Sequence, residues 1–192
     1  DEIVLADLIQ EEDMVVTLTH FGYVKRLAAD TYRAQKRGGK GVTGLTTREE
    51  DFVENIFVTS THSKLLFFTS KGRVFRLMCY EIPEAGRTAK GTAIVNLLQL
   101  DGGEKVQAVI PVSGDGAHLV MATRDGLIKR TEFSEFENMR ASGLIAISLR
   151  EEDELIGVSL SKGEMDVIVG TRQGMCIRFD EEDIRAVGRG AM

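Results

Sequence analysis

The sequence predicts an all-β, propeller-like protein built from about four four-stranded units. One eight-residue phrase recurs four times, short strand-like runs flank every copy, and no segment carries a long helical period. The phrase runs Thr19 to Arg26, Thr69 to Arg76, Thr123 to Arg130 and Thr171 to Arg178. Its glycines, Gly22, Gly72, Gly126 and Gly174, are separated by 50, 54 and 48 residues. Repeats are therefore expected over roughly 10–58, 59–110, 111–160 and 161–192, all within one domain or part of one.

Each copy sits between apolar, β-branched or aromatic runs, for example Val15 to Leu18 and Leu65 to Phe68, with a glycine-containing turn inside. That is a hairpin signal, and a glycine in the left-handed region is the ordinary way to close such a turn. Further runs after each hairpin (Ile56 to Val58, Val106 to Pro111, Leu155 to Leu160) and around Ile94 or Ile145 bring the count to about four strands per unit. Tandem four-stranded units read as propeller blades. WD40 and kelch signatures are absent, and there is no Trp.

Two positions beyond each glycine stands Val24, Val74, Ile128 or Cys176, and four positions beyond stands Arg26, Arg76, Arg130 or Arg178. On a strand these share a face. Such an arginine either lays its stem over apolar surface or presents its head to phosphate, and the structural role is the expectation.

The most distinctive stretch is Gln35-Lys36-Arg37-Gly38-Gly39-Lys40-Gly41, with three cations, three glycines and nothing to bury. It reads as a surface loop that selects an anion. Fainter echoes stand at Arg87-Thr88-Ala89-Lys90-Gly91, at Arg140 to Gly143 and at Arg185 to Gly190, each 16 to 19 residues after its hairpin glycine. Basic loops are thus expected at equivalent places along one edge.

With 192 residues and 43% hydrophobic content the chain can bury a real core. No apolar run approaches a membrane span, and the start, Asp1-Glu2, is unlike a signal peptide, so a cytoplasmic location is expected. Cys79 and Cys176 match no metal-ligand spacing and read as core or strand residues. The net charge of -6 would argue against a nucleic-acid binder if charge were evenly spread. It is not: between His20 and Gly41 six basic residues (Lys25, Arg26, Arg33, Lys36, Arg37, Lys40) face one acid, Asp30, for a local balance of +5. Acids gather elsewhere, as at Glu49 to Asp51, Glu151 to Glu154 and Glu181 to Asp183, and read as solvated loops.

The heptapeptide Gln35 to Gly41 resembles the signature box of the C-terminal domain of bacterial DNA gyrase A, and the repeats resemble the blades of that domain along essentially the whole chain. The related C-terminal domain of topoisomerase IV has a missing or degraded box, so an intact copy favours gyrase. The resemblance implies a β-pinwheel, a propeller-like disc whose neighbouring blades exchange strands and around whose basic perimeter duplex DNA bends. It implies a non-catalytic domain, without cofactor or metal, of an ATP-hydrolysing DNA topoisomerase. Its partners would be double-stranded DNA and, in a bacterial cytoplasmic heterotetramer, the rest of gyrase A together with gyrase B.

On that reading the DNA-facing residues are Gln35, Lys36, Arg37, Gly38, Gly39, Lys40 and Gly41, with Lys25, Arg33, Lys71, Arg73, Arg87, Lys90, Arg124, Lys129, Arg140, Arg172 and Arg189. Arg26, Arg76, Arg130 and Arg178 are structural or DNA-facing. A repeat scaffold for an acidic protein partner is the other reading of the same basic edge. Catalysis within the chain finds no support in His20, His62 and His118, which are scattered, or in Tyr23, Tyr32 and Tyr80. The fourth repeat stops at Gly188 to Met192, where earlier repeats continue into another strand, so an open arc with an unfinished last blade is expected.

Overall fold

In the computed structural model of the chain, residues 5–31, 51–112, 118–139 and 143–192 are described. They form strands joined by tight turns. The one α-helical turn among them, α1 (Ser134–Glu137), spans four residues. Among the described residues no helix is long and apolar enough to cross a membrane. The chain divides into two compact units, 1–65 with 77–102, and 66–76 with 103–192.

The first unit contains the antiparallel sheet β3-β1-β2-β6, from β1 (Asp13–Thr19), β2 (Tyr23–Ala28), β3 (Val53–Ser60) and β6 (Thr92–Ala93). Val16 is the registration point, opposite Arg26 on one side and Phe57 on the other. Central strand β1 is buried at every residue after Asp13, because both of its faces are covered. Its core includes Met14, Val16, Leu18, Val24, Cys79, Ile82 and Ile94.

The second unit carries three sheets. One has the order β10-β5-β4-β7, from β4 (Lys64–Thr69), β5 (Arg73–Met78), β7 (Val106–Pro111) and β10 (Leu144–Ile145). The next is β11-β8-β9, from β8 (His118–Thr123), β9 (Ile128–Glu132) and β11 (Leu155–Ser161). The last is the pair β12 (Asp166–Gly170) and β13 (Cys176–Asp180), so the fourth sheet has two strands. Leu66, Phe68, Val74, Leu119, Met121, Phe133, Phe136, Ile147 and Leu155 share one core. Phe68 and Phe136 meet edge to face with centroids 5.8 Å apart, a favourable aromatic geometry.

All four sheets are built on a hairpin, the first three add an outer strand that follows it, and the first two also take a two-residue strand from the following repeat. β6 pairs with β2 through Tyr23 opposite Ala93, and β10 pairs with β5 through Leu144 opposite Val74. The next residue then closes each exchange on a hairpin glycine: the N–H groups of Ile94 and Ala146 donate to the Gly22 and Gly72 carbonyls, both at 2.8 Å. The strand exchange expected of a pinwheel is present in both units.

The four hairpin turns share one mechanism. Each glycine N–H donates to the carbonyl of the threonine three residues before it, at 2.9 to 3.0 Å, and φ at the glycines is 74° to 87°. The threonine hydroxyl accepts the N–H four residues on, at Tyr23, Arg73, Leu127 and Met175. An acid at the foot of the outer strand completes three of these turns. Asp51 accepts from the Phe21 and Phe52 N–H groups, both at 2.9 Å, and Asp153 from those of Asp125 and Glu154, at 3.0 and 2.8 Å. Glu104 accepts the Thr69 hydroxyl at 2.6 Å.

The expectation that the acidic clusters are solvated is corrected at one member of each of three clusters, Asp51, Asp153 and Glu181, while Glu151, Glu152, Glu154, Glu182 and Asp183 are exposed. Asp51, Glu104 and Asp153 are buried, and Glu181 is completely so, accepting from the Ser161 hydroxyl and the Met165 N–H. A buried carboxylate persists where hydrogen-bond donors converge on it.

Candidate nucleic-acid interface

The box Gln35, Lys36, Arg37, Gly38, Gly39, Lys40 and Gly41, together with Arg33 and Arg140, lies outside the described residues. The interface is therefore built from its echoes. In the second repeat the loop Gly86 to Gly91 exposes Arg87, Thr88 and Lys90. Gly91 has φ of 92°, and a Cβ there would sit 2.5 Å from the Val24 carbonyl oxygen, so only glycine brings the loop this close to β2. The Lys90 ammonium stands 3.6 Å from the centroid of the Tyr23 ring, a cation–π contact that fixes an exposed charge.

Beneath this loop lies Lys25, 2% exposed. Its Nζ donates to the carbonyls of Gly86, Arg87 and Ala89 at 2.9, 2.8 and 3.0 Å. Lys129, 1% exposed, occupies the equivalent place in the second unit. Its Nζ donates to the Ala146, Gly188, Arg189 and Ala191 carbonyls at 2.7, 3.1, 2.6 and 3.0 Å. Burial lowers both lysines; Lys129 is pushed down to about 8, with Glu135 opposing and Arg189 adding to the shift.

Lys25 and Lys129 were expected to face DNA, and the structure corrects this. The lysines lie on the strand face that the loop of the next repeat covers, so β2 and β9 bury them beneath that loop. Arg73 is a second correction. It is committed to buried Glu104, with Nε 2.9 Å from Oε1, and its guanidinium carbon lies 5.1 Å from the Phe75 ring centroid. Arg124 is exposed; it donates to the Glu152 carbonyl and stands 3.8 and 3.5 Å from the Asp125 and Glu154 carboxylates. An arginine ringed by acids is a poor phosphate anchor.

The recurring arginines divide. Arg26 donates from Nε to the Ile82 carbonyl at 2.6 Å, and its backbone carbonyl accepts the Ala85 N–H, so it braces the approach to the loop. Arg130 does the same through its carbonyl, which accepts from Val187 at 2.9 Å, although its buried Nε has no acceptor among the described residues. Arg76 is half-buried, and Arg178 is exposed and paired with Asp166. Lys71 and Arg172 are exposed on hairpin turns, and Arg189, half-buried, donates its backbone N–H to Glu135 at 2.8 Å.

The second repeat replaces the lysine by Phe75, and there Gly143 lies against the aromatic ring: a Cβ on Gly143 would lie 2.5 Å from Phe75 Cζ. Sequence reasoning missed this alternation of Lys25, Phe75 and Lys129, three residues after each hairpin glycine. The signal was present in the repeat itself.

A family model described as the DNA gyrase C-terminal domain, beta-propeller, matches residues 13–60, 63–113, 117–162 and 166–192. The DNA gyrase A protein of Clostridium acetobutylicum is 56% identical over 194 residues, covering 100% of the chain and 23% of the relative, so the chain spans under a quarter of that protein. Among solved structures, a C-terminal domain of DNA topoisomerase IV superposes with a TM-score of 0.80 at 28% identity over 95% of this chain and 56% of that one. A DNA gyrase A C-terminal domain gives 0.68 at 27% identity over 94% and 58%. With four matched segments and a strand-exchanged blade plan, the chain belongs to the family of DNA gyrase C-terminal domains, with their propeller-type fold.

Proposed function

We propose that the chain binds duplex DNA without sequence preference and bends it along a track of basic loops, as the wrapping domain of a bacterial, cytoplasmic DNA gyrase. The observation that carries this reading is the family match across all four repeats, joined to an intact box at Gln35 to Gly41. Exposed Arg87, Lys90 and Arg172 supply further cations at the perimeter. Each repeat, taken as 10–58, 59–110, 111–160 and 161–192, contributes one loop. Phosphate neutralisation releases counterions, so affinity falls steeply with salt. Bending 20 to 30 base pairs by 40° to 90° costs of order 1 to 6 kcal/mol, offset by contacts spread along the arc.

In the parent enzyme the wrapped segment would be delivered in one handedness to a DNA gate formed by the rest of gyrase A, working with gyrase B in a heterotetramer, so that ATP-driven strand passage introduces negative supercoils. The test replaces Lys36, Arg37 and Lys40 together by Ala. DNA bending and supercoiling are expected to be lost while the fold and ATP-independent relaxation survive; unchanged supercoiling would sink the proposal.

A second reading, the C-terminal domain of topoisomerase IV, is favoured by the 0.80 superposition. Negative supercoiling of relaxed plasmid by the parent enzyme decides between them, since the topoisomerase IV reading requires relaxation alone. A scaffold for an acidic protein would bind short and long duplexes alike, whereas wrapping demands an affinity that climbs with duplex length.

A further inference from the structure

We infer that Lys25 and Lys129 are positioning residues, which preset the basic loop of the following repeat for phosphate while touching no phosphate themselves; this rests on the DNA-binding reading above. An ammonium has three protons and no lone pair, so it satisfies converging carbonyls as no other side chain does. Lys25 gathers three carbonyls within the six residues Gly86 to Gly91. Lys129 gathers three within Gly188 to Ala191 and a fourth from Ala146. The acceptors in both cages are backbone carbonyls, so the charge is committed to the loop rather than cancelled by an ion pair.

The consequence is geometric. With the Gly86, Arg87 and Ala89 carbonyls turned inward onto the ammonium, the Arg87 and Lys90 side chains stand exposed, and Tyr23, two residues before Lys25, holds Lys90. The carbonyl cage occurs independently in both units, from lysines at the same place in their repeats. Phe75 performs the seating apolarly, against Gly143. One buried charge thus orders several exposed ones, which lowers the entropy lost when a polyanion engages the loop.

The test combines Lys25→Met, Lys25→Arg and the loop pair Arg87→Ala with Lys90→Ala in the full chain, using a linear duplex over a range of salt, with amide exchange and melting followed in parallel. Removing the loop pair is expected to weaken binding roughly tenfold and to lower the salt slope by about two. Lys25→Met, well below its melting temperature, is expected to reproduce much of that loss and to speed exchange across 86–91. Lys25→Arg keeps the charge, but a planar fork does not fit three carbonyls, so it is expected to behave like Met. The combined variant is expected to be no weaker than the loop pair alone, because Lys25 acts through the loop.

Unchanged affinity in Lys25→Met, beside a weakened loop-pair variant, overturns the inference and leaves DNA binding standing. Salt-independent binding by the unsubstituted chain, or no loss in the loop-pair variant, instead removes the reading beneath it. Should Met not be tolerated at position 25, Lys129→Met with Arg189→Ala makes the same comparison in the second unit. Unfolding by both lysine variants assigns the lysines to the fold alone and overturns the inference.

Discussion

Asp51 and Asp153 show how a buried charge is set by its immediate donors. Burial pushes both carboxyls up, but backbone N–H groups, a threonine hydroxyl and a nearby basic side chain, His20 at Asp51 and Arg124 at Asp153, together outweigh it and hold both below their ordinary 3.8. A carboxylate whose folded pKa is depressed stabilises the fold fully above its unfolded value, and that stabilisation fades as pH falls through the lowered folded value. Asp51→Asn and Asp153→Asn are therefore expected to cost roughly 1–3 kcal/mol each at neutral pH. Denaturant titrations carried below the ordinary carboxylate range should show the gap to the parent narrowing. At Arg26, bonded to the Ile82 carbonyl, Ala is expected to lower the melting temperature and leave the salt slope of DNA binding unaltered. At exposed Arg172 the reverse is expected, with the slope dropping by about one.

At the scale of the element, the unit of construction is a hairpin whose glycine does two jobs. Gly72 has φ of 74°, and a Cβ there would meet the Ile147 carbonyl oxygen at 2.6 Å, inside the joint where the next repeat hands over its strand. Gly126 has φ of 87° but open space around the same position. Alanine at Gly126 should cost about 1–2 kcal/mol, the left-handed penalty alone. Alanine at Gly72 should cost more, since backbone must shift as well, and urea unfolding of the two variants would measure the difference. Equal losses would mean that the exchange joint adjusts freely.

On the scale of the whole molecule, charge is sorted rather than balanced. The chain carries a net -6, yet among the described residues Lys71, Arg87, Lys90 and Arg172 stand exposed on loops and turns, while part of the acidic complement is turned inward to close hairpins. Sorting of this kind gives a net-acidic protein local basic patches that attract a polyanion. Binding to a long duplex is accordingly expected to weaken by orders of magnitude between about 50 and 200 mM salt. Filter binding over that range checks it, and a flat response would contradict a phosphate track.

Much of this protein was legible without coordinates. Four repeats, the hairpins and the left-handed glycines follow from local rules, because a turn of this kind is decided within about eight residues, as Thr19 to Arg26 illustrates. Which cations face solvent was not legible. Lys25 and Lys90 are both lysines in basic surroundings, yet one is caged by three carbonyls and the other rides on an aromatic ring outside. Nor could the sequence tell that Asp51, read with its acidic cluster as solvated, closes a turn. Those outcomes depend on what the following repeat lays over a strand, and strand exchange brings together residues some sixty positions apart, as with Lys25 and Gly86. Local chemistry wrote the turns, and contacts between successive repeats assigned inside and outside to their charges.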